Sequence, residues 1–493
     1  MRVLFYNWVS PFDPEKRGGG VSAYERALAA VLQTEGIEAG WLNSGLAQDL
    51  RPGPPRWEAG GPGQFCLVNA RPFAPSHLSF GDPEQISHPP TEAAFAACLA
   101  ATGPWDVIHF NNLEGLPAEA LKIARTHAAR VVVMLHNYYP FCPQVNLWFQ
   151  ERESCTTDRG GAACGACLLH PPPPRRRLAL ALAQKLSVQT GPRGLRLYRR
   201  GTAVLRTIRA IRAGRQAGRL PEIPVLAQAQ SRALPGRRAR MVELLNTHCD
   251  VILCVSERVR VLAADFGLRR DLLAVCRIGT PDAARPPAPP RPLLDERGHL
   301  TLAYAGYMRR DKGFFFLLEA LEQLPADLAP RISLVLAARL SDPALRPRLL
   351  ALGQRLGGLT WANGYQREDL DRILAPASLG VVPVLWEDNL PQVALEMHLR
   401  GLALLTSDRG GAHEPGNCPA LTFPAGDIAA FHQRLAAVLQ GEITRADYGK
   451  GGAPPPDLQS HLRALRQHWQ PGDIQSAVEF PSQALEAKAA SLP

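Results

Sequence analysis

The chain has 493 residues, 46% of them hydrophobic and 20% charged, with a formal net charge of +10. That length is long for one domain and comfortable for two, and the apolar content supports sizeable cores. No uncharged apolar run is long enough to predict a membrane-spanning helix.

The N-terminus, MRVLFYNWV, carries one charge and a short apolar run, then Pro11, Asp13 and Glu15. It reads as a first strand and not as a signal peptide, so cytoplasmic residence is the default expectation. Apolar runs recur at 106–110, 130–135, 250–254 and 272–276, and again at 301–305, 332–337, 379–384 and 402–405. Continuous apolar strands between helical segments predict parallel sheets covered on both faces. His136 ends one such strand, followed by Asn137 and Tyr138; His109 ends another and has the weaker case for a role in a site.

Four of the ten cysteines, Cys142, Cys155, Cys164 and Cys167, fall in one glycine-containing loop. A C-x2-C pair is a common half-site for zinc, so a structural metal is one reading and free or redox-active thiols the other. Residues 175–240 hold seventeen Arg plus Lys and one acid, Glu222, a local balance of +16. Within them LYRRGTAVLRTIRAIR (197–212) is amphipathic, with Arg199, Arg200, Arg206 and Arg209 opposite an apolar face. Such a segment suits an anionic membrane surface, or is simply a solvated insert. No nucleic-acid motif or aromatic interleaving accompanies it, so nucleic acid is not an expected partner.

Residues 279–298 are rich in proline and poor in pattern, as linkers are. Next, TLAYAG (301–306) reads as a buried strand ending in glycine, followed by the basic loop Tyr307–Gly313. Phe314, Leu317, Leu318 and Leu321 then mark one face of a helix. Lys312 there can act as a point charge on a diphosphate, and an arginine can grip it bidentately. The strand LGVVPVL (379–385) leads into WEDNLPQVALE, which puts Asp388 on a loop and Glu396 on the first turns of a helix. Backbone N–H groups at a helix N-terminus attract phosphate, and carboxylates beside it can hold sugar or ribose hydroxyls. Near the end, LQSHLRALRQHW (458–469) has a helix pattern.

The Gly306, Lys312, Gly313 element and the Asp388, Glu396 element resemble those of the retaining glycosyltransferases of family four, which have the GT-B fold. Arg17–Ser22 resembles the glycine-rich loop that closes over donor and reacting centre. DVIHFNN (106–112) and VVVMLHNYYPFCP (131–143) resemble strand ends that face the cleft, CVSERV (254–259) the last helix entry of the first domain, and FPAGD (423–427) a late loop of the second. The resemblance covers most of residues 1–440 and implies an α/β protein with two doubly wound Rossmann-like domains facing across a cleft. Residues 1–285 would form the acceptor-side domain, 286–298 the linker, 299–440 the nucleotide-sugar domain and 441–493 a helical tail that packs back on the first domain.

The same resemblance implies a nucleotide-diphospho-sugar donor, a glycan or lipid-linked acceptor and no catalytic metal. His136, Asp388 and Lys312 would be catalytic. Gly19, Gly20, Gly306, Arg309, Arg310, Lys312, Asn389, Leu390 and Glu396 would bind donor, with Glu396 on the ribose, Asp388 on the sugar and the amides of Asn389 and Leu390 on the diphosphate. The family usually has Glu at Asp388 and often Arg at Tyr307; Arg309 or Arg310 would replace that cation. A GT-B sugar epimerase or phosphorylase, or an inactive relative that docks on a membrane or polyanion, are the alternatives.

Overall fold

The structure is a computed structural model, and it describes residues 1–470 apart from 16, 168–174, 187–188, 192–193, 195–200, 202–233, 287 and 451. The amphipathic segment 197–212 therefore lies outside the described residues.

Two sheets carry the chain. The first contains β1 (Arg2–Tyr6), β2 (Glu38–Asn43), β3 (Arg56–Gly61), β4 (Gln64–Val68), β5 (Trp105–Phe110), β6 (Ala128–Leu135), β9 (Val251–Cys254) and β10 (Leu273–Val275), in the order β10-β9-β6-β5-β1-β2-β4-β3. All its pairings are parallel except β3 with β4. A small hairpin, β7 (Trp148–Phe149) with β8 (Glu153–Ser154), stands apart from it. The second sheet holds β11 (Leu300–Tyr307), β12 (Ile332–Arg339), β13 (Gly358–Ala362), β14 (Leu379–Val382), β15 (Ala403–Ser407) and β16 (Thr422–Phe423), ordered β13-β12-β11-β14-β15-β16. It is parallel throughout.

The composition of the strands explains this arrangement. Val3, Leu4, Phe5 and Tyr6 of β1, and every residue of β9 and β14, are buried, because helices cover both faces of each sheet. Each sheet also reverses its strand order once, between β1 and β5 and between β11 and β14. Loops that leave the carboxyl ends of strands at such a reversal diverge and open a crevice, which is where open α/β sheets bind ligands. The first crevice is bordered by Asn7 and Asn111, the second by the loops at 308–313 and 383–391.

The tail helix spans Leu458–Trp469, the residues its pattern predicts, and packs on the Gly19–Thr34 helix and β6 of the first sheet. Trp469 Nε1 donates to His109 Nδ1 at 3.1 Å, and the Tyr24 hydroxyl lies 2.7 Å from His461 Nε2. His109 is thus a buried anchor for the tail. Residues 237–240 of the basic stretch belong to the core helix Arg237–His248, whose Met241, Leu244 and Leu245 are buried. Arg237 donates to the Tyr139 carbonyl at 2.9 Å, Arg176 to Asp82 at 2.5 Å and Arg177 to the Asp49 carbonyl at 2.8 Å. Part of the positive charge in 175–240 is therefore spent on contacts within the first half of the chain.

Candidate active site

In the second sheet, β11 and β14 deliver the two sequence-predicted loops side by side. Lys312 Nζ donates to Asp388 Oδ2 at 2.5 Å and lies 4.9 Å from the centre of the Trp386 ring. The glycine after Lys312 has a physical requirement. Gly313 has φ +71°, and a Cβ there would stand 1.7 Å from the Pro383 carbonyl oxygen. Only glycine lets the 308–313 loop lie against the 383–391 loop, and that contact fixes the lysine.

The arginines expected on the diphosphate are held by other groups. Arg309 Nε donates to Asp311 Oδ1 at 2.9 Å, and Arg310 pairs at 3.7 Å with Glu151 from the β7–β8 hairpin. Gly306 sits within β11, which continues to Tyr307. Tyr307 is one of the most exposed large side chains described, at 68%. The helix after Asp388 starts only at Gln392, behind Pro391, so Asn389 and Leu390 precede its first turn. Both are buried, and the Asn389 side-chain amide has no hydrogen-bond partner among the described residues. Gln392 and Val393 stand at the helix N-terminus, and Asn389 and Leu390, whose amides are expected on the diphosphate, lie just before it.

Glu396 lies on that helix, eight residues from Asp388 but in a separate pocket. Its neighbours there include Tyr24 and Ala27 from the Gly19–Thr34 helix, Thr280 and Arg367. Burial raises the Glu396 carboxyl above its ordinary value, while Arg367, 3.7 Å away, opposes the rise. Gly19 and Gly20 open the Gly19–Thr34 helix, and the Gly20 carbonyl accepts from Gln392 Nε2 at 3.1 Å. The glycine-rich turn and the second sheet's loops thus meet across one cleft.

On the opposite wall, His136 Nε2 lies 3.2 Å from Asn111 Oδ1, and its ring stands 5.0 Å from that of Tyr24. Burial, with a smaller effect of nearby His461, pushes the His136 imidazole down to about 3, so it is neutral near pH 7. Two hydroxyls close by, of Tyr138 and Tyr139, are buried without a hydrogen-bond partner among the described residues.

Three features escaped the sequence reading. The first is Glu25, fully buried, which accepts from Asn7 Nδ2 at 2.9 Å and Asn111 Nδ2 at 2.8 Å. A signal for it exists: Glu25, Leu28 and Leu32 share one helical face, so a carboxylate sits on an apolar stripe. Burial raises its carboxyl to about 7, against two amide hydrogen bonds that favour the charge. The folded state therefore holds this proton more tightly than the unfolded chain. Its stabilising contribution is full below the ordinary carboxylate range and is lost as pH rises through about 7. Glu25→Gln is expected to match the parent's stability at pH 5 and exceed it at pH 8, by a margin on the order of 1–3 kcal/mol. Urea melts at the two pH values check this; a constant difference refutes it.

The second is a seam between the halves of the chain. Arg258 donates Nε and Nη2 to Glu387 at 2.9 and 2.7 Å. Ser256 Oγ donates to the Asn389 carbonyl at 2.7 Å. Glu414 accepts the backbone N–H groups of Glu257 and Arg258 at 3.1 and 2.9 Å, so it seats the N-terminus of the Glu257–Asp265 helix. The third is the Arg409–Gly411 turn behind Asp388, where a Cβ on Gly410 would stand 1.9 Å from the Asp388 carbonyl oxygen.

The four loop cysteines, Cys142, Cys155, Cys164 and Cys167, line one cavity with Trp148, Phe149 and Arg238. All are free thiols, and among the described residues no three His, Cys, Asp or Glu side chains are gathered closely enough to hold a metal ion.

Comparison with known proteins gives this geometry a fold. No curated protein matches the chain in sequence. Among solved structures, the apo structure of OtsA is 13% identical, with 96% of this chain and 99% of that chain covered at a TM-score of 0.50. Sucrose-phosphate synthase from Thermosynechococcus elongatus is 16% identical, with 95% and 94% covered and a TM-score of 0.49. Anabaena Alr3699/HepE in complex with UDP and glucose is 13% identical, with 95% and 99% covered and a TM-score of 0.48. Residues 299–441 match the family model for glycosyl transferases group 1, and that segment holds β11 to β16 with Lys312, Asp388 and Glu396. The chain accordingly has the GT-B fold, and its residues 299–441 are similar to the glycosyl transferases group 1 family.

Proposed function

We propose that the chain is a retaining glycosyltransferase that moves a sugar from a nucleotide-diphospho-sugar to an acceptor hydroxyl. The observation that carries this reading is the Lys312–Asp388 pair at the strand-order reversal of the second sheet, facing the first sheet's crevice across the cleft. Lys312 supplies the cation for the diphosphate, and the donor competes with Asp388 for it. Asp388 and the unpartnered Asn389 amide offer hydrogen bonds to the sugar; a buried amide without a partner favours a polar ligand. Glu396, in its pocket between Tyr24 and Arg367, accepts from the ribose hydroxyls. The acceptor enters beside His136, whose neutral imidazole orients a hydroxyl without charging it. In same-face displacement the leaving phosphate takes the acceptor proton, so this route needs no protein nucleophile.

A panel of nucleotide-sugars, UDP-glucose among them, is expected to contain one that raises the melting temperature; a ligand at a hundred times its dissociation constant adds about 2.7 kcal/mol. Glu396→Gln should then weaken that donor about tenfold to a hundredfold, the value of a charge-assisted hydrogen bond of about 1.5–3 kcal/mol. The anomeric configuration of the product, read by NMR, tests retention. A donor sugar inverted at one ring carbon with no acceptor consumed would favour an epimerase, and binding without turnover an inactive relative. Unchanged donor affinity in Glu396→Gln removes the ribose assignment.

A further inference from the structure

We propose that Glu25 is a positioning residue: through Asn111 it holds the His136 imidazole as the Nε2–H tautomer, which leaves Nδ1 as a hydrogen-bond acceptor for a ligand hydroxyl. The groups concerned stand in a row because of the sheet. β6, β5 and β1 are neighbours in that order, and His136, Asn111 and Asn7 are the first residues beyond their carboxyl ends. Glu25 reaches the row from the Gly19–Thr34 helix, where it is fully buried.

The direction of each hydrogen bond follows from one fixed point. Asn7 Oδ1 accepts the Trp8 backbone N–H at 2.8 Å, so the other end of that amide, Nδ2, is the end that meets Glu25 Oε2, at 2.9 Å. An ionised carboxylate only accepts, and Asn111 Nδ2 donates to its second oxygen, Oε1, at 2.8 Å. Asn111 then has Oδ1 left for His136, whose Nε2 lies 3.2 Å away. A carbonyl oxygen cannot donate, so the His136 proton belongs on Nε2. Because the imidazole is neutral near pH 7, Nδ1 then carries a free lone pair. Nδ1 has no hydrogen-bond partner among the described residues, and His136 is half-buried, not sealed in the core.

Two neighbours bear on the ring without competing for it. The Tyr24 ring packs on His136, but its hydroxyl is engaged with His461 Nε2 at 2.7 Å. His109 supplies an internal reference. Trp469 donates to its Nδ1, and an indole N–H never accepts, so His109 is also an Nε2–H imidazole, for a reason independent of Glu25.

The test reads the tautomer directly, by long-range proton–nitrogen correlation NMR of the full chain isotope-labelled at its histidines. It is run at pH 9, where the Glu25 carboxyl is ionised. The His136 signals are those lost in His136→Asn. The parent is expected to show Nε2–H; an Nδ1–H ring overturns the proposal. Glu25→Gln carries the decision. Asn7 still presents Nδ2, so it takes the glutamine oxygen, and the glutamine amino group then faces Asn111. Asn111 has to turn Oδ1 to that group and Nδ2 to His136. The His136 proton is then expected on Nδ1, with His109 unchanged, and an Nε2–H ring at His136 overturns the proposal. Should this variant fail to fold, Asn111→Ala is expected to give a mixture of both His136 tautomers; a single Nε2–H form overturns the proposal.

The ligand hydroxyl rests on the proposed glycosyl transfer, in which it is the acceptor's. Turning Nδ1 from acceptor to donor is expected to raise the acceptor KM about tenfold in Glu25→Gln, the value of one hydrogen bond, with donor affinity unchanged. An unchanged KM beside a switched tautomer overturns the hydroxyl contact alone. Absence of transfer in the parent fails the glycosyl-transfer reading and leaves the NMR result to decide the relay.

Discussion

Lys312→Ala is expected to lower kcat by about 10²–10³-fold, the loss seen when one preorganised donor to developing charge is removed. The reason lies in the timing of charge. In the proposed transfer, the diphosphate would gain a negative charge as the sugar departs, so the ammonium would interact more strongly with the transition state than with the substrate. Donor affinity should fall less than kcat, and the two effects are separated by equilibrium binding and single-turnover rates. Asp388 sharpens the comparison. It holds Lys312 at 2.5 Å, with the Trp386 ring beneath the ammonium, so the cation is positioned before donor arrives. Lys312→Arg is not expected to rescue fully, because a planar guanidinium is longer than a point charge held by one carboxylate. A kcat within twofold of the parent in Lys312→Ala sinks the assignment.

The fold was legible where local chemistry and tertiary contacts agree. Apolar runs gave the parallel strands, and the tail helix 458–469 was bounded correctly because Asp457 caps its first turn and its apolar stripe meets β6. The proximity of Lys312 and Asp388 was legible because both leave the carboxyl ends of strands in one sheet, where topology brings loops together. The pairings of Arg309 with Asp311 and of Arg310 with Glu151 were not, since the second partner is 159 residues away in the chain. Glu387 shows the limit most plainly. It adjoins Asp388, yet one carboxylate faces Lys312 in its own half and the other faces Arg258, 129 residues away. Nothing local in WEDNLP separates the two acids; only the docking of the Glu257–Asp265 helix does.

That docking is the basis of a second large effect. Glu387→Ala is expected to destabilise the closed arrangement by about 2–3 kcal/mol. Breaking a buried ion pair costs about 3–5 kcal/mol, and the lower figure applies because the Arg258 side chain is about a third exposed. The carboxylate itself is 2% exposed and also accepts the Gly410 backbone N–H at 3.0 Å, so its loss frees the turn behind Asp388 as well. Burial alone would raise the Glu387 carboxyl, but hydrogen bonds from Arg258 hold it below the ordinary value. A depressed carboxyl contributes stability above its unfolded value and loses it as pH falls through the folded one. The parent should therefore lose part of its stability in acid, below the ordinary carboxylate range, and Glu387→Ala should lose less there. Thermal melts from pH 7 to pH 3, with small-angle scattering to follow the separation of the two sheets, measure both. Glu387→Gln keeps the shape and one acceptor, and should fall between parent and alanine variant. Equal melting of all three at pH 7, with identical scattering, would show that Ser256 and Glu414 hold the seam without Arg258.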